Sequence, residues 1–156
     1  MQAKIFAVLL ILSLVHFSMA KKGAGLIIFR RTGNKIEYLL LKSIKKDNSW
    51  GPPKGGVEQS DANDFQAALR EVQEETNYTE SDLHIHRNKR FEKTPGPGKI
   101  NVFWFAELKS GKSPKLSSEH TEFGWFDLKN ALKMCANPAF QQLIKENEKK
   151  IKSNTL

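Results

Sequence analysis

The run Arg70-Glu71-Val72-Gln73-Glu74-Glu75 sets three carboxylates on one side of a single helical stretch, because Glu71 lies three and four positions before Glu74 and Glu75. Like charges at those spacings repel, by roughly 0.2–0.5 kcal/mol per pair. A helix shaped by stability alone would rarely stack them. A hard divalent cation turns the repulsion into coordination, since such ions take carboxylate oxygens. The chain must therefore fold so that this helix keeps one face for the core and another for a candidate active site.

The length of 156 residues suits one domain with a core, and 39% hydrophobic with 27% charged residues is an ordinary globular mix. The net charge of +8 fits a solvated basic surface. It equally fits a polyanionic ligand such as nucleotide phosphates, nucleic acid or acidic lipid, and charge alone does not choose among them. Cys135 stands alone, which excludes an intrachain disulfide and a multi-cysteine zinc site.

Residues 1–20 read as an export signal. Lys4 precedes an almost wholly apolar run over 5–15, and Ser18-Met19-Ala20 offers small residues for cleavage after Ala20. The run is short for a membrane span, which takes about 20 residues. Lys21 and Lys22 oppose the usual orientation, so an uncleaved anchor and a cytoplasmic chain with a later start stand as alternatives. The expectation is a signal peptide over 1–20, a secreted protein with no membrane contact after cleavage, and one domain over 21–156.

Along the mature chain, 25–31 and 36–42 read as two strands of a hairpin with turn chemistry at Thr32-Gly33-Asn34-Lys35. The segment 49–56, Ser-Trp-Gly-Pro-Pro-Lys-Gly-Gly, is expected to be irregular. A helix is predicted over 64–76, with Phe65, Ala68, Leu69 and Val72 at core spacing and Asn77 as a left-handed cap. The stretch 84–91 alternates like a strand, and 92–98, with Pro95-Gly96-Pro97-Gly98, reads as loop. A strong strand follows over 99–108, with Ile100, Val102 and Trp104 on one face and Phe103 and Phe105 on the other. A short strand at 122–126 and helices over 127–134 and 138–151 complete the list, the last capped by Asn137 with Pro138 in its first turn. The order implies a mixed α+β domain.

The loop 50–58 feeds directly into the acidic helix. Its glycines let backbone approach a ligand, and Lys54 can meet a phosphate as a point charge. Arg70 is expected to pair with a carboxylate and hold the loop–helix junction.

Gly55-Gly56-Val57-Glu58 followed by Arg70-Glu71-Val72-Gln73-Glu74-Glu75 resembles the Nudix box, G-x5-E-x7-R-E-U-x-E-E-x-G-U. Residues 50–57, with Leu116-Ser117-Ser118-Glu119-His120 and Gly124-Trp125, resemble the diadenosine tetraphosphate hydrolase branch of that family. The box is irregular. Counted from Gly55, its acidic position is Asp61, with eight rather than seven residues before Arg70; counted from Gly56, it is Ala62. The extra residue is expected to be absorbed over 59–63. Asn77 stands where the box has its last glycine, and Asn48-Ser49 where the branch has a histidine before the tryptophan.

The resemblance implies a Nudix-type α/β/α sandwich with a mixed sheet. It implies metal-dependent hydrolysis of a dinucleoside polyphosphate, in this branch diadenosine tetraphosphate to ATP and AMP. Mg²⁺, or Mn²⁺, would be held by Glu71, Glu74, Glu75 and the carbonyl of Gly55. Glu119 is the expected general base with Glu74 as rival, and Arg70 supports the site. Lys54 and Lys99 would contact polyphosphate. Phe103 falls where the branch has a tyrosine that stacks on adenine, and a plain core residue is the equal alternative. The runner-up functions are hydrolysis of another nucleoside diphosphate derivative and a secreted nucleotide-binding module with a weakened box. The chain is expected to be a monomer with no stable nucleic-acid partner.

Three further features carry less weight. His84 and His86 share a strand face but lack a third ligand. His120 fits substrate contact and loop packing equally well. Asn77-Tyr78-Thr79 is a glycosylation sequon whose overlap with the helix cap suggests an amide folded against backbone.

Overall fold

The computed structural model describes residues 20–45 and 48–156. The expected signal segment therefore lies, apart from Ala20, outside the described residues.

The sheet is organised around β1 (Lys21–Thr32), whose run from Ala24 to Phe29 is wholly buried. Side chains alternate across a strand, so continuous burial requires cover on both faces. β1 turns at Gly33 into antiparallel β2 (Lys35–Ser43). On its other side it runs parallel to β7 (Lys99–Leu108), from Lys21 opposite Lys99 to Phe29 opposite Glu107. β8 (His120–Phe126) extends the sheet beyond β2. The eight described strands form one mixed sheet.

One face carries α1 (Asp64–Thr76), which buries Ala67, Ala68 and Val72 against Ala24, Leu26, Ile28, Leu39, Leu41, Val102 and Trp104. The opposite face carries α2 (Leu128–Met134) and α3 (Pro138–Lys152). Their Ala131, Phe140, Leu143, Ile144 and Ile151 pack on Ile27, Phe29, Tyr38, Leu40, Phe103 and Phe105. Each fully buried Leu, Ile or Phe in these layers contributes about 1.5–3 kcal/mol of transfer free energy. The result is an α/β/α sandwich, with the two expected faces of β7 assigned to the two cores.

Caps set the helix limits. The Asn63 side chain accepts from the Gln66 N–H at 3.0 Å, and Asn77 takes the left-handed region at φ 59° with its N–H on the Gln73 carbonyl. Asn137 accepts from the Phe140 N–H at 3.0 Å, and Pro138 occupies the first turn, where no N–H is needed. Among the described residues no helix is long and apolar enough to cross a membrane.

Three expectations are corrected. The segment expected to be irregular contains β3 (Trp50–Gly51), paired with β2, and β4 (Lys54–Gly56), paired with β1 at Gly23–Gly25. A glycine of β1 permits the pairing: a Cβ at Gly25 would overlap Pro53 and Lys54. The alternating stretch 84–91 is split, with β5 (Leu83–Ile85) ending before a loop. The Pro-Gly segment is not all loop. β6 (Phe91–Gly96) pairs with β7 and tolerates Pro95 because it is an edge strand whose register shifts between Lys93 and Gly96.

Candidate active site

The antiparallel pairing of β4 with β1 fixes the glycine loop beside α1. The Lys54 N–H donates to Glu75 Oε2 at 3.0 Å. Gly55 lies so close to Glu71 that a Cβ there would overlap the carboxyl group. Only glycine permits this approach of loop backbone to helix carboxylate.

Arg70 ties the two together. Its Nε donates to Asp61 Oδ1 at 3.0 Å and its Nη2 to Asp61 Oδ2 at 2.9 Å and to the Gly56 carbonyl at 2.8 Å. Its Nη1 donates to Glu71 Oε1 at 2.9 Å and lies 3.3 Å from Glu74 Oε2. The Arg70 hydrogen bonds hold the Asp61 carboxyl down at about 2. Asp61 also accepts from the Glu58 N–H at 2.8 Å. The supernumerary residue of the loop is thus taken up in the turns and bends over 59–63, and the shorter aspartate still reaches the arginine.

Loop, helix and the segment before β8 enclose a cavity of about 700 Å³. Glu58, Glu71, Glu74, Glu75 and Glu119 line it, together with Lys45, Lys54, Arg70 and His120. Burial raises the Glu75 carboxyl to about 8, against the pull of the Lys54 N–H and with a further push from the charges of Glu71 and Glu119. Glu71 is also raised, first by burial, while Arg70 opposes the shift and Glu74 and Glu119 add to it. Glu119 is 52% exposed and pairs with Lys45 at 3.1 Å; Glu74 is 57% exposed. His120 Nε2 lies 3.8 Å from Glu75 Oε1, and burial lowers the imidazole pKa.

This crowding is the test of fit for a divalent cation. Carboxylates raise one another's proton affinity where no positive charge separates them, and the donor set of carboxylates with the Gly55 carbonyl suits a hard ion. Among the described residues no three His, Cys, Asp or Glu side chains already converge in ligating geometry; Arg70 holds Glu71 and Glu74, and Glu75 accepts from the Lys54 N–H. Glu74 is exposed enough to turn from the arginine to an ion.

Glu71, Glu74, Glu75, Gly55, Glu119, Lys54 and Arg70 therefore share one cavity. Two expected residues do not line it. Lys99 opens β7 at the tip of the β6–β7 hairpin, exposed and opposite Lys21. Phe103 is 2% exposed and packed beside Phe105 and Phe140. It presents no free ring face, so the stacking role gives way to the core role. Lys45 was missed: it is one of two lysines between β2 and β3, and only the fold sets it beside Glu119. His84 and His86 stack edge to face at 5.1 Å on β5 and just past it, away from the cavity.

The model of the NUDIX domain family matches residues 19–146. The asymmetrical bis(5'-nucleosyl)-tetraphosphatase of Caenorhabditis elegans is 35% identical over 131 residues, 82% of this chain and 94% of the relative. The Mus musculus enzyme of the same name is 34% identical over 139 residues, covering 82% and 93%. The crystal structure of a C. elegans Ap4A hydrolase binary complex superposes with a TM-score of 0.76 at 32% identity, over 84% of this chain and 97% of that one.

Proposed function

Since this chain belongs to the Nudix family, we propose that it hydrolyses dinucleoside polyphosphates, and in particular diadenosine tetraphosphate to ATP and AMP. It is a Nudix hydrolase acting on phosphoric anhydride bonds, similar to the asymmetrical bis(5'-nucleosyl)-tetraphosphatases. The observation that carries the finer reading is the single cavity joining an acidic helix face, a lysine-bearing glycine loop and a separate accessible glutamate.

Glu71, Glu74, Glu75 and the Gly55 carbonyl would hold Mg²⁺ or Mn²⁺. Such an ion, when bound, lowers the pKa of an attacking water and offsets charge on the phosphoryl oxygens. Lys54 offers its ammonium group to the polyphosphate. Arg70 holds loop and helix in register, so that Gly55 and Glu71 keep their spacing. Glu119 is assigned as the general base that takes the proton of the attacking water. It comes from a different segment than the three helix carboxylates and pairs with the exposed Lys45, whereas Glu74 shares the Arg70 guanidinium with the ligand Glu71.

Export fits the same reading. β1 begins at Lys21, so cleavage after Ala20 would leave every one of its pairs in place. The mature enzyme would then act outside the cell as a monomer over 21–156.

The test is product analysis of the purified chain with diadenosine tetraphosphate and Mg²⁺, beside Glu74→Gln. ATP and AMP in equal amounts from the parent, and little product from the variant, support the proposal. ADP as sole product would replace asymmetric by symmetric cleavage. Binding without turnover would make the chain a nucleotide-binding module.

A further inference from the structure

We propose that Asn77 is an acceptor for an N-linked glycan, attached as the chain passes along the secretory route. The inference rests on the export reading above, and it reverses the expectation that the Asn77 amide folds against backbone.

Asn77 is exposed, and among the described residues its side-chain amide makes no hydrogen bond. Its backbone does the capping instead. The N–H donates to the Gln73 carbonyl at 2.9 Å, and the carbonyl accepts from Lys112 Nζ at 2.7 Å. Tyr78 between the two sequon positions is 1% exposed, with its hydroxyl donated to the Lys112 carbonyl at 2.8 Å. The buried tyrosine anchors the segment and leaves Asn77 and Thr79 on the outside. The Thr79 hydroxyl is exposed as well, engaged only with Ser81 and Asp82 in its own turn.

The left-handed position explains why this residue stands here. Glycine, the residue of the Nudix box, and asparagine both tolerate φ near +60°. Of the two, only asparagine supplies an amide nitrogen. In the transfer, Asn77 Nδ2 forms a bond to C1 of a lipid-pyrophosphate-linked oligosaccharide. The C1–O bond to the pyrophosphate breaks, the lipid pyrophosphate leaves with the bonding pair, and the amide proton passes to base.

The acceptor is placed clear of the catalytic cavity, which Asn77 does not line. The sequon borders a different cavity, of about 520 Å³, which meets α1 at Gln66, Leu69, Val72 and Gln73 and shares only Arg70 with the catalytic cavity. A glycan there would cover that second surface.

The experiment is translation of the full chain in the presence of endoplasmic-reticulum microsomes. Protease protection reads entry, and a glycosidase-sensitive increase in apparent mass reads the glycan. Expected is one such step, retained in Thr79→Ser and lost in Asn77→Gly, which keeps the left-handed cap while removing the amide. A protected chain without the step overturns the inference and leaves the export reading standing. Failure of the chain to enter overturns the export reading, and the acceptor is then decided by the same full chain placed behind a strong secretory signal. In that arm, absence of the step overturns the proposal, as does a step that survives Asn77→Gly.

Discussion

The Asp61 carboxylate grips the Arg70 guanidinium through two hydrogen bonds, to Nε at 3.0 Å and to Nη2 at 2.9 Å. A fork of this kind fixes direction as well as distance, and a lysine could not reproduce it. Because the same guanidinium holds Glu71 and the Gly56 carbonyl, one side chain sets the relative position of loop and helix. Asp61→Ala is expected to lower kcat on the order of 100-fold, the scale of misplacing catalytic groups by about an ångström. Circular dichroism should still show a folded chain, because the sheet and both cores are untouched. Unchanged kcat would detach Arg70 positioning from catalysis.

Gly55 and Gly56 make a matched pair. A Cβ at Gly55 would overlap the Glu71 carboxyl, whereas one at Gly56 meets nothing within 4 Å. Gly55→Ala should raise the Mg²⁺ concentration needed for half-maximal rate and lower kcat, about 10-fold or more. Gly56→Ala should stay within about 0.5 kcal/mol of the parent in stability and near it in rate. Metal titrations of the two variants check this.

Glu75 gives the cation-free protein a pH signature. Its carboxyl is raised to about 8 by burial and by the charges of Glu71 and Glu119, so folding favours the protonated form. That contribution to stability is complete below the ordinary glutamate value and falls as pH rises from about 4.5 towards 8, by at most roughly 1.4 kcal/mol per pH unit. Thermal melts in a chelator should show this decline. Glu75→Gln should flatten it, and added Mg²⁺ should oppose it in the parent protein.

Glu119→Gln and Glu74→Gln separate base from ligand. Loss of a general base costs about 10²–10⁴-fold in kcat and removes the acid limb of the pH–rate profile. Glu119→Gln is expected to show both with little change in half-saturating Mg²⁺. Glu74→Gln should lose rate through a shifted Mg²⁺ dependence, with activity returning as Mg²⁺ is raised. The reverse pattern would transfer the base to Glu74.

Phe103→Ala should act on the core. A buried phenylalanine cut to alanine costs about 3–5 kcal/mol, so denaturant midpoints should fall sharply. KM of the folded fraction should stay close to the parent, since the ring does not line the cavity. A large KM effect in the milder Phe103→Leu would restore the stacking role.

The parts of this fold with strong periodicity were legible from the chain alone. Helix α1 lies at its expected limits because its apolar residues recur at helical spacing and Asn77 ends it in a left-handed cap, and strand β7 because its apolar run is continuous on both faces. The glycine- and proline-rich segments were not. β4 is a strand only because β1 lies beside it and lacks a side chain at Gly25, and β6 carries Pro95 only because it is at an edge. Neither neighbour is visible from local composition. The acidic trio and Lys54 could be gathered into one site from spacing. The burial of Phe103 could not be decided, since alternation shows which face a ring takes but not whether that face is covered.

The parallel ladder between β1 and β7 sets the order of assembly. It joins residues far apart in the chain, Lys21 with Lys99 and Phe29 with Glu107, and such non-local closure is slow. During vectorial synthesis the apolar centre of β1 must wait for β7 to emerge. The β1–β2 hairpin can form meanwhile, with one edge still open to aggregation or to a chaperone.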